Sequence, residues 1–234
     1  MAKKASDAGG GRAQAVHRAL KRAILDQALS PGSKLPEDSI GERLGVSRTL
    51  VHQALVRLSE EGLVDLRPNR GATVARPTLE EGRNLFLTRM ALERLVVETL
   101  SGKLTPEQIE ALSAHIAAEE TARTAHATSI RLAGEFHTML AQMTNNTSLI
   151  RYVDELVARS SLILALYGRP HSSECAVSEH RDLLDKLIAG KTEEAAALMA
   201  HHLDSITTRA LLPKEDSMNI KDLLASYAAA EGLA

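Results

Sequence analysis

One helix with a defined start and stop, in the stretch from Val46 to Val64, constrains this chain more than any other feature. Ser47 can cap the free amide groups of the first turn, and Gly62 supplies a left-handed residue at the end. Apolar residues at three- and four-residue spacing predict one buried face, formed by Val51, Ala54, Leu55 and Leu58. The opposite face carries side chains suited to phosphates and base edges: Arg48, Thr49, His52 and Gln53. This pattern is typical of a recognition helix in the major groove of DNA, with a plain surface helix as the alternative.

The neighbouring segments favour the recognition helix over the surface helix. Pro36 to Leu44 predicts a short preceding helix, and Gly45 supplies the tight connection between the two. After the second helix come two short β-prone runs, at 63–66 and 72–75, on either side of a turn rich in proline, asparagine and glycine. The sequence therefore predicts a helix-turn-helix followed by a β-hairpin, or wing, with arginines at its tip.

Several separately spaced motifs in this region resemble the winged helix-turn-helix domain of GntR transcription regulators. They are Pro31-Gly32-Ser33-Lys34-Leu35-Pro36-Glu37, Leu44-Gly45-Val46-Ser47-Arg48-Thr49, Ala54-Leu55-Val56-Arg57-Leu58, Glu61-Gly62-Leu63-Val64 and Arg70-Gly71-Ala72-Thr73-Val74. The resemblance implies binding of double-stranded operator DNA by Lys34, Ser47, Arg48, Thr49, His52, Gln53, Arg57, Arg67, Arg70 and Gly71. Where the family often has proline, arginine and glutamate, this chain has Leu50, His52 and Gln53. Because an arginine can read guanine with two hydrogen bonds, His52 implies an operator that differs from those of relatives.

Charge is divided unevenly along the chain, although the net charge at pH 7 is only −2. Residues 1–76 contain 13 lysines and arginines against 8 acidic residues, whereas residues 77–234 contain 15 against 22. Only the first part therefore suits contact with a polyanion such as DNA. The single cysteine, Cys175, cannot form an internal disulfide bond. The sequence also lacks an apolar signal segment and any apolar run near the roughly 20 residues of a membrane span, which predicts a cytoplasmic protein.

The helical periodicity predicts a mostly α-helical protein with two domains. Residues 1–12 are expected to be a disordered tail, and 13–76 a winged domain of three helices plus a β-hairpin whose first helix runs from about Arg12 to Leu29. Residues 77–212 are expected to form an all-α bundle of six to seven helices, and 213–234 a tail or an accessory helix. Periodicity and breaker residues place the bundle helices at roughly 78–101, 105–122, 128–143, 147–167, 174–189 and 192–211.

Three histidines on three different predicted helices of the bundle form a candidate metal site: His137, His180 and His202. Neutral imidazoles that converge from facing helices are good ligands for a divalent transition metal. Periodicity does not establish that they converge, so an ordinary core or surface position is the alternative for each histidine.

The second domain resembles the FCD ligand-binding domain of FadR-type GntR regulators. The motifs are Arg89-Met90-Ala91-Leu92-Glu93, Glu135-Phe136-His137, Asn146, Glu179-His180 and His202-Leu203. The resemblance implies an effector site with a metal held by three histidines and by an aspartate four residues before the first of them. Ala133 occupies that aspartate position in this chain. Either zinc or nickel binds with water or an effector carboxylate in the open positions, or the histidines hydrogen-bond an organic ligand without a metal.

Arginines of the bundle could neutralise an acidic effector, with salt bridges such as one between Arg89 and Glu93 as the alternative role. The predicted effector-binding residues are Arg89, Arg131, His137, Arg159, His180 and His202.

Two functions from different classes follow. The first is a transcription regulator: a homodimer on a pseudo-palindromic operator, acting as a repressor whose DNA binding is modulated by a small metabolite such as a carboxylate. The second is a metalloenzyme fused to a DNA-binding domain, because three histidines and water also surround the metal in hydrolytic zinc sites. The sequence has no Ser/His/Asp order, glycine-rich phosphate loop or His-Glu-x-x-His motif, which favours a regulator without enzymatic activity.

Overall fold

A winged helix-turn-helix precedes a helical bundle in the computed structural model, which describes residues 3–210 except residues 69, 123 and 168–172. The winged part contains α1 (Lys3–Leu25), α2 (Glu37–Leu44), α3 (Arg48–Glu60), β1 (Val64–Arg67) and β2 (Gly71–Val74). The bundle contains α4 (Leu79–Leu100), α5 (Pro106–Thr121), α6 (His126–Met143), α7 (Thr147–Tyr167), α8 (Ser173–Ile188) and α9 (Thr192–Ala210). This architecture confirms the predicted fold class. The tail or accessory helix expected over residues 213–234 lies outside the described residues.

The N-terminal helix differs from its prediction at both ends. Helix α1 begins at Lys3, within residues 1–12, where a disordered tail is expected from the sequence. Extending an existing helix adds one hydrogen bond for each residue fixed, so the buried central part of α1 favours growth toward the N-terminus. At the other end the helix stops at Leu25 rather than Leu29, because Gln27 adopts a left-handed conformation with φ 56°.

The connection between α2 and α3 has the local features that the sequence predicts. Gly45 ends α2 in a left-handed conformation with φ 63°, and Ser47 caps α3 by accepting a hydrogen bond from the amide of Leu50. Gly62 follows α3 with φ 71°, and the amides of Gly62 and Leu63 donate to the last turn of the helix. The four apolar residues of the predicted inner face are buried. The polar face of α3 is therefore held outward.

The wing is a two-stranded antiparallel hairpin in which Val64 pairs with Val74 and Arg67 with Gly71. Lys34 forms an isolated bridge to Thr73, which places the loop before α2 beside β2. Apolar residues of α1, α3 and both strands form one buried core under the hairpin. This core fixes the wing relative to the recognition helix.

The bundle has its own core of aliphatic side chains with two phenylalanines, Phe86 and Phe136. Thr78 starts α4 through a capping box with Glu81, as predicted. Helices α4 to α9 begin and end close to the positions that the periodicity indicates. Within the described part of the chain, no helix is both long and apolar enough to cross a membrane.

Helix α7 connects the two domains. Ala158 and Leu162 of α7 are buried in the core of the winged domain. Arg159, the residue after Ala158, lies against Gly62, where an added Cβ would come within 3.0 Å of the arginine side chain. The absence of a side chain at Gly62 therefore serves both the end of α3 and the contact between the domains.

Candidate functional site

The residues predicted to bind DNA are all exposed. They occupy the loop before α2, the outer face of α3 and the wing: Lys34, Ser47, Arg48, Thr49, His52, Gln53, Arg57, Arg67, Arg70 and Gly71. An exposed recognition helix beside a basic hairpin is the arrangement that a winged helix-turn-helix uses on DNA.

Glu37, at the start of α2, contacts two of the predicted base readers. Its Oε2 accepts a hydrogen bond from Nε of Arg48 at 2.8 Å, and its Oε1 lies 2.7 Å from Nδ1 of His52. The hydrogen bond with His52, followed by that with Arg48, lowers the pKa of Glu37. The carboxylate therefore stays ionised and holds both side chains on the same side of α3.

Arg57 lies apart from Arg48, although it lines a surface pocket together with His52 and Gln53. Nine residues separate it from Arg48, which corresponds to about half a turn around the helix axis. The Arg57 side chain lines a charged cleft between α1, α3 and α7, beside Glu60 and Arg151. Its contact with DNA stays a prediction.

The three histidines singled out in the sequence converge inside the bundle. His137, His180 and His202 come from α6, α8 and α9, and their side chains are at most 3% exposed. One nitrogen of each ring lies within 4.8 Å of the others. The Nε2 atom of His202 lies 3.3 Å from Nε2 of both other histidines.

Each of these rings turns its other nitrogen toward a carboxylate. Nδ1 of His137 bonds Glu93, Nδ1 of His180 lies 2.8 Å from Glu119, and Nδ1 of His202 lies 2.6 Å from Glu179. An ionised carboxylate only accepts hydrogen bonds, so the contacts with Glu93 and Glu179 place the proton of the neutral imidazoles of His137 and His202 on Nδ1. The Nε2 atoms of these two rings then carry lone pairs and face each other at 3.3 Å.

Burial keeps the three histidines neutral. It lowers the pKa of His137 and, more strongly, that of His180, and it lowers the pKa of His202 to about 4. Glu93 and Glu179 act in the opposite direction on their partners, but burial is the larger effect. Neutral imidazoles with converging Nε2 lone pairs are the form that coordinates a metal.

Two of the carboxylates differ in their electrostatic surroundings. Burial opposes the charge of Glu93, but Arg89 and His137 outweigh it and lower the pKa of Glu93 to about 2. Arg89 donates from Nε to Glu93 at 2.7 Å and from one terminal nitrogen to Ser160 at 3.0 Å. Burial raises the pKa of Glu119 to about 7, with His115 as the strongest opposing charge.

A cavity of about 200 Å³ adjoins the histidines. His137 and His202 form part of its wall, and His180 lies outside the lining. The second terminal nitrogen of Arg89 is buried without a hydrogen-bond partner among the described residues, and Arg89 also lines the cavity. Ala133 contributes only a methyl group, so this wall has room where a longer side chain would reach the histidines.

The cavity extends to the winged domain. Lys21 and Leu25 of α1 line it together with Arg131 of α6. Arg131 forms an ion pair with Asp26, which directly follows α1, at 2.7 Å, and a second with Glu135 at 2.6 Å. A molecule in the cavity would therefore touch both domains.

The structure separates the predicted effector-binding residues into two groups. Arg89, Arg131, His137 and His202 line the cavity. His180 belongs to the histidine cluster behind the wall, and Arg159 lies at the domain contact with Gly62. Sequence reasoning missed Glu93, Glu119 and Glu179 as histidine partners and Lys21 as a residue of the cavity wall.

Comparison with known proteins agrees with this geometry. The sequence profile of the bacterial regulatory proteins of the gntR family matches residues 12–74, and that of the FCD domain matches residues 84–205. The chain belongs to the GntR regulators that carry an FCD domain. It is accordingly a DNA-binding transcription regulator with an effector-binding domain.

Named relatives and solved structures are similar over most of the chain. An HTH-type transcriptional regulator of Mycobacterium tuberculosis is 30% identical over 80% of this chain and 84% of its own. The HTH-type transcriptional repressor RspR of Escherichia coli is 25% identical over 83% of this chain and 86% of its own. The crystal structure of a GntR regulator from Rhodococcus covers 86% of this chain and 98% of its own, with a TM-score of 0.77 at 24% identity. This last likeness concerns the fold alone.

Glu93→Gln should destabilise the bundle more than Glu119→Gln does. The first change leaves the buried charge of Arg89 without its carboxylate, which costs about 3 to 5 kcal/mol of unfolding free energy. The second removes a carboxyl whose pKa is already raised to about 7, and its amide oxygen can still accept from His180, so the cost should stay below about 1 kcal/mol. Urea unfolding of both variants in the presence of a chelator measures the difference. Equal losses would contradict the proposed role of the Arg89 pair.

Proposed function

We propose that this protein is a homodimeric repressor whose operator binding is modulated by a small carboxylate, bound beside a divalent metal ion in the bundle. The observation that carries the proposal is the meeting of three buried Nε2 atoms, each from an imidazole whose Nδ1 faces a carboxylate. Lone pairs at 3.3 Å repel each other unless a cation or a proton lies among them. The relative RspR is a transcriptional repressor by name, which supports repression.

The residues present fit a zinc or nickel ion. His137, His180 and His202 would hold it through Nε2, and their carboxylate partners would orient the rings. The bound ion would supply a positive centre for an oxygen ligand. Ala133 stands where the family has an aspartate, so the protein would contribute three neutral ligands and no anionic one. The open coordination positions of the ion would be filled by the effector, which would also supply the negative charge.

A carboxylate suits the remaining features of the cavity. The unpaired terminal nitrogen of Arg89 is a buried donor, and leaving such a charged donor without an acceptor is costly. A carboxylate oxygen would satisfy it while the second oxygen approaches the histidines. Apolar groups such as Val157 and Leu164 line another part of the wall and would contact the rest of a small organic acid.

Coupling to DNA follows from the position of α1. A ligand that contacts Lys21 or displaces Arg131 from Asp26 acts directly on the helix that packs against the recognition helix α3. An effector that prefers one placement of the winged domain over another shifts the population toward that placement. In a homodimer, the two recognition helices would then lose the spacing that two half-sites of an operator require.

The operator contacts would come from the N-terminal half of α3. Replacing Arg48 by alanine should abolish most sequence-specific binding, because one base reader and its charge are lost. Replacing Arg181 on α8, an exposed arginine of the bundle, should leave DNA affinity unchanged. Fluorescence anisotropy with operator and unrelated DNA at fixed salt measures both effects. Unchanged operator affinity in the Arg48 variant would refute the docking of α3.

Metal binding should depend on the buried histidines and not on their exposed neighbour. His180→Ala and His202→Ala should each lower the metal content by more than tenfold, because one of three protein ligands is lost. His201→Ala should keep it, since His201 is exposed and its Nε2 lies near Ser205. Native mass spectrometry of the purified dimers, before and after chelation, counts the bound ions. If the wild-type dimer contains no metal but retains an organic molecule, metal binding is refuted. The histidines would then hydrogen-bond this molecule directly.

Asp26→Ala should separate effector binding from the DNA response. The change removes the ion pair that joins α1 to Arg131 but leaves Arg89 and the histidines in place. Carboxylates found by thermal shift with the wild-type protein should bind this variant with similar affinity and release the operator less. Asp185→Ala, an exposed change on α8, serves as the control. A normal release by the Asp26 variant would show that coupling uses another contact.

A further inference from the structure

Glu37 is the least exposed member of the group that faces the DNA from α2 and α3. Its side chain is 19% exposed, whereas those of His52 and Arg48 are 56% and 69% exposed. Each of its two oxygens is directed at one reader: Oε1 at Nδ1 of His52 and Oε2 at Nε of Arg48. The carboxylate is therefore a fixed hydrogen-bond acceptor that orients two more exposed side chains.

The contact with His52 determines which hydrogen-bonding group the imidazole presents outward. A carboxylate accepts hydrogen bonds and donates none, so the proton shared with Glu37 belongs to Nδ1. In the neutral ring the other nitrogen, Nε2, then carries a lone pair. Nε2 lies on the edge of the ring opposite the bonded Nδ1, on a side chain that is more than half exposed. His52 in this form offers an acceptor to whatever α3 contacts.

We propose that Glu37 is a positioning residue for operator specificity, which holds His52 as a hydrogen-bond acceptor that selects an exocyclic amino group. This inference rests on the proposed docking of α3 in the major groove. In that groove the N4 amine of cytosine and the N6 amine of adenine are the donors that bases present. One position in each half-site should therefore carry cytosine or adenine on the strand that His52 reads.

The proposed reading is opposite in polarity to that of an arginine at the same position. Arginine has only donors, and it selects the O6 and N7 acceptors of guanine. A lone pair on Nε2 is repelled by these same acceptors, so His52 disfavours guanine as well as favouring an amine. Arg48 still offers donors from its guanidinium, so two adjacent turns of α3 present opposite hydrogen-bonding groups.

Asp38 offers a matched control for Glu37. It is the next residue of α2, it carries the same charge, and its carboxylate lies 3.6 Å from a terminal nitrogen of Arg48. Only Glu37 has a contact with His52 among the ion pairs of this surface. Asp38→Asn and Glu37→Gln therefore both remove one negative charge beside Arg48, but only the second removes the carboxylate that keeps the proton on Nδ1 of His52.

The experiment is selection of bound sequences from randomised double-stranded DNA, followed by sequencing, with the full-length protein at about pH 8, where free imidazole is neutral. The wild type should enrich a half-site with one position that prefers cytosine or adenine over guanine by about fivefold or more, the value of one hydrogen bond. Glu37→Gln should reduce that preference to below about twofold, because an amide can donate to Nδ1 as well as accept from it. Asp38→Asn should retain it, and His52→Arg should change the same position to guanine.

The outcomes separate this inference from the proposed function. If the wild type enriches no motif, the docking of α3 itself fails. If a motif appears and Glu37→Gln keeps the same preference as Asp38→Asn at every position, the positioning role of Glu37 is refuted. A preference for guanine at the position that His52→Arg changes would also refute it, because the wild-type ring would then be a donor. If Glu37→Gln changes the base preference only at another position of the half-site, Glu37 positions Arg48 and not His52. The proposed role of His52 as an acceptor would then be refuted.

Discussion

Hydrogen bonds between buried histidines and carboxylates organise the second domain. Each carboxylate–imidazole hydrogen bond joins two helices: α4 with α6 through Glu93, α5 with α8 through Glu119, and α8 with α9 through Glu179. Arg89 of α4 adds α7 through Ser160. All six helices of the described bundle are thus connected through polar groups at one centre. The site is therefore part of the framework of the domain and not an attachment to it.

Such a centre imposes a condition on the fold. Burying polar nitrogen atoms is unfavourable unless each finds a partner, and the carboxylates satisfy only one nitrogen of each ring. The three Nε2 atoms face one another, and one terminal nitrogen of Arg89 has no hydrogen-bond partner among the described residues. Because a ligand that binds only the folded state stabilises it, occupancy of the site and stability of the bundle are linked. A ligand at this centre would contact the same polar groups that join the helices, so its binding would change the stability of the bundle.

Local features of the fold could be predicted from the sequence, whereas long-range contacts could not. The cap at Ser47, the left-handed Gly62 and the capping box at Thr78 depend on residues within one turn, and each is present in the structure. The partner of His137 lies 44 residues away and that of His180 lies 61 residues away. Helical spacing cannot indicate which distant carboxylate will face a histidine, so Glu93 was assigned only to Arg89 and Glu119 to no site. The prediction that the three histidines meet was supported by the resemblance to a known domain and not by helical spacing.

Helix α1 illustrates a limit of dividing this chain into modules. By sequence it belongs to the winged domain, yet Lys21 and Leu25 line the cavity of the bundle. A hybrid regulator joined at Pro77 would exchange this wall together with the operator-reading surface. The residues that line this cavity therefore come from both the DNA-binding domain and the bundle. If a duplicated gene exchanged one domain with a related regulator, residues of two different proteins would line the cavity. Substitutions in α1 and α6 would then have to restore the contacts between these helices before the protein responded to an effector.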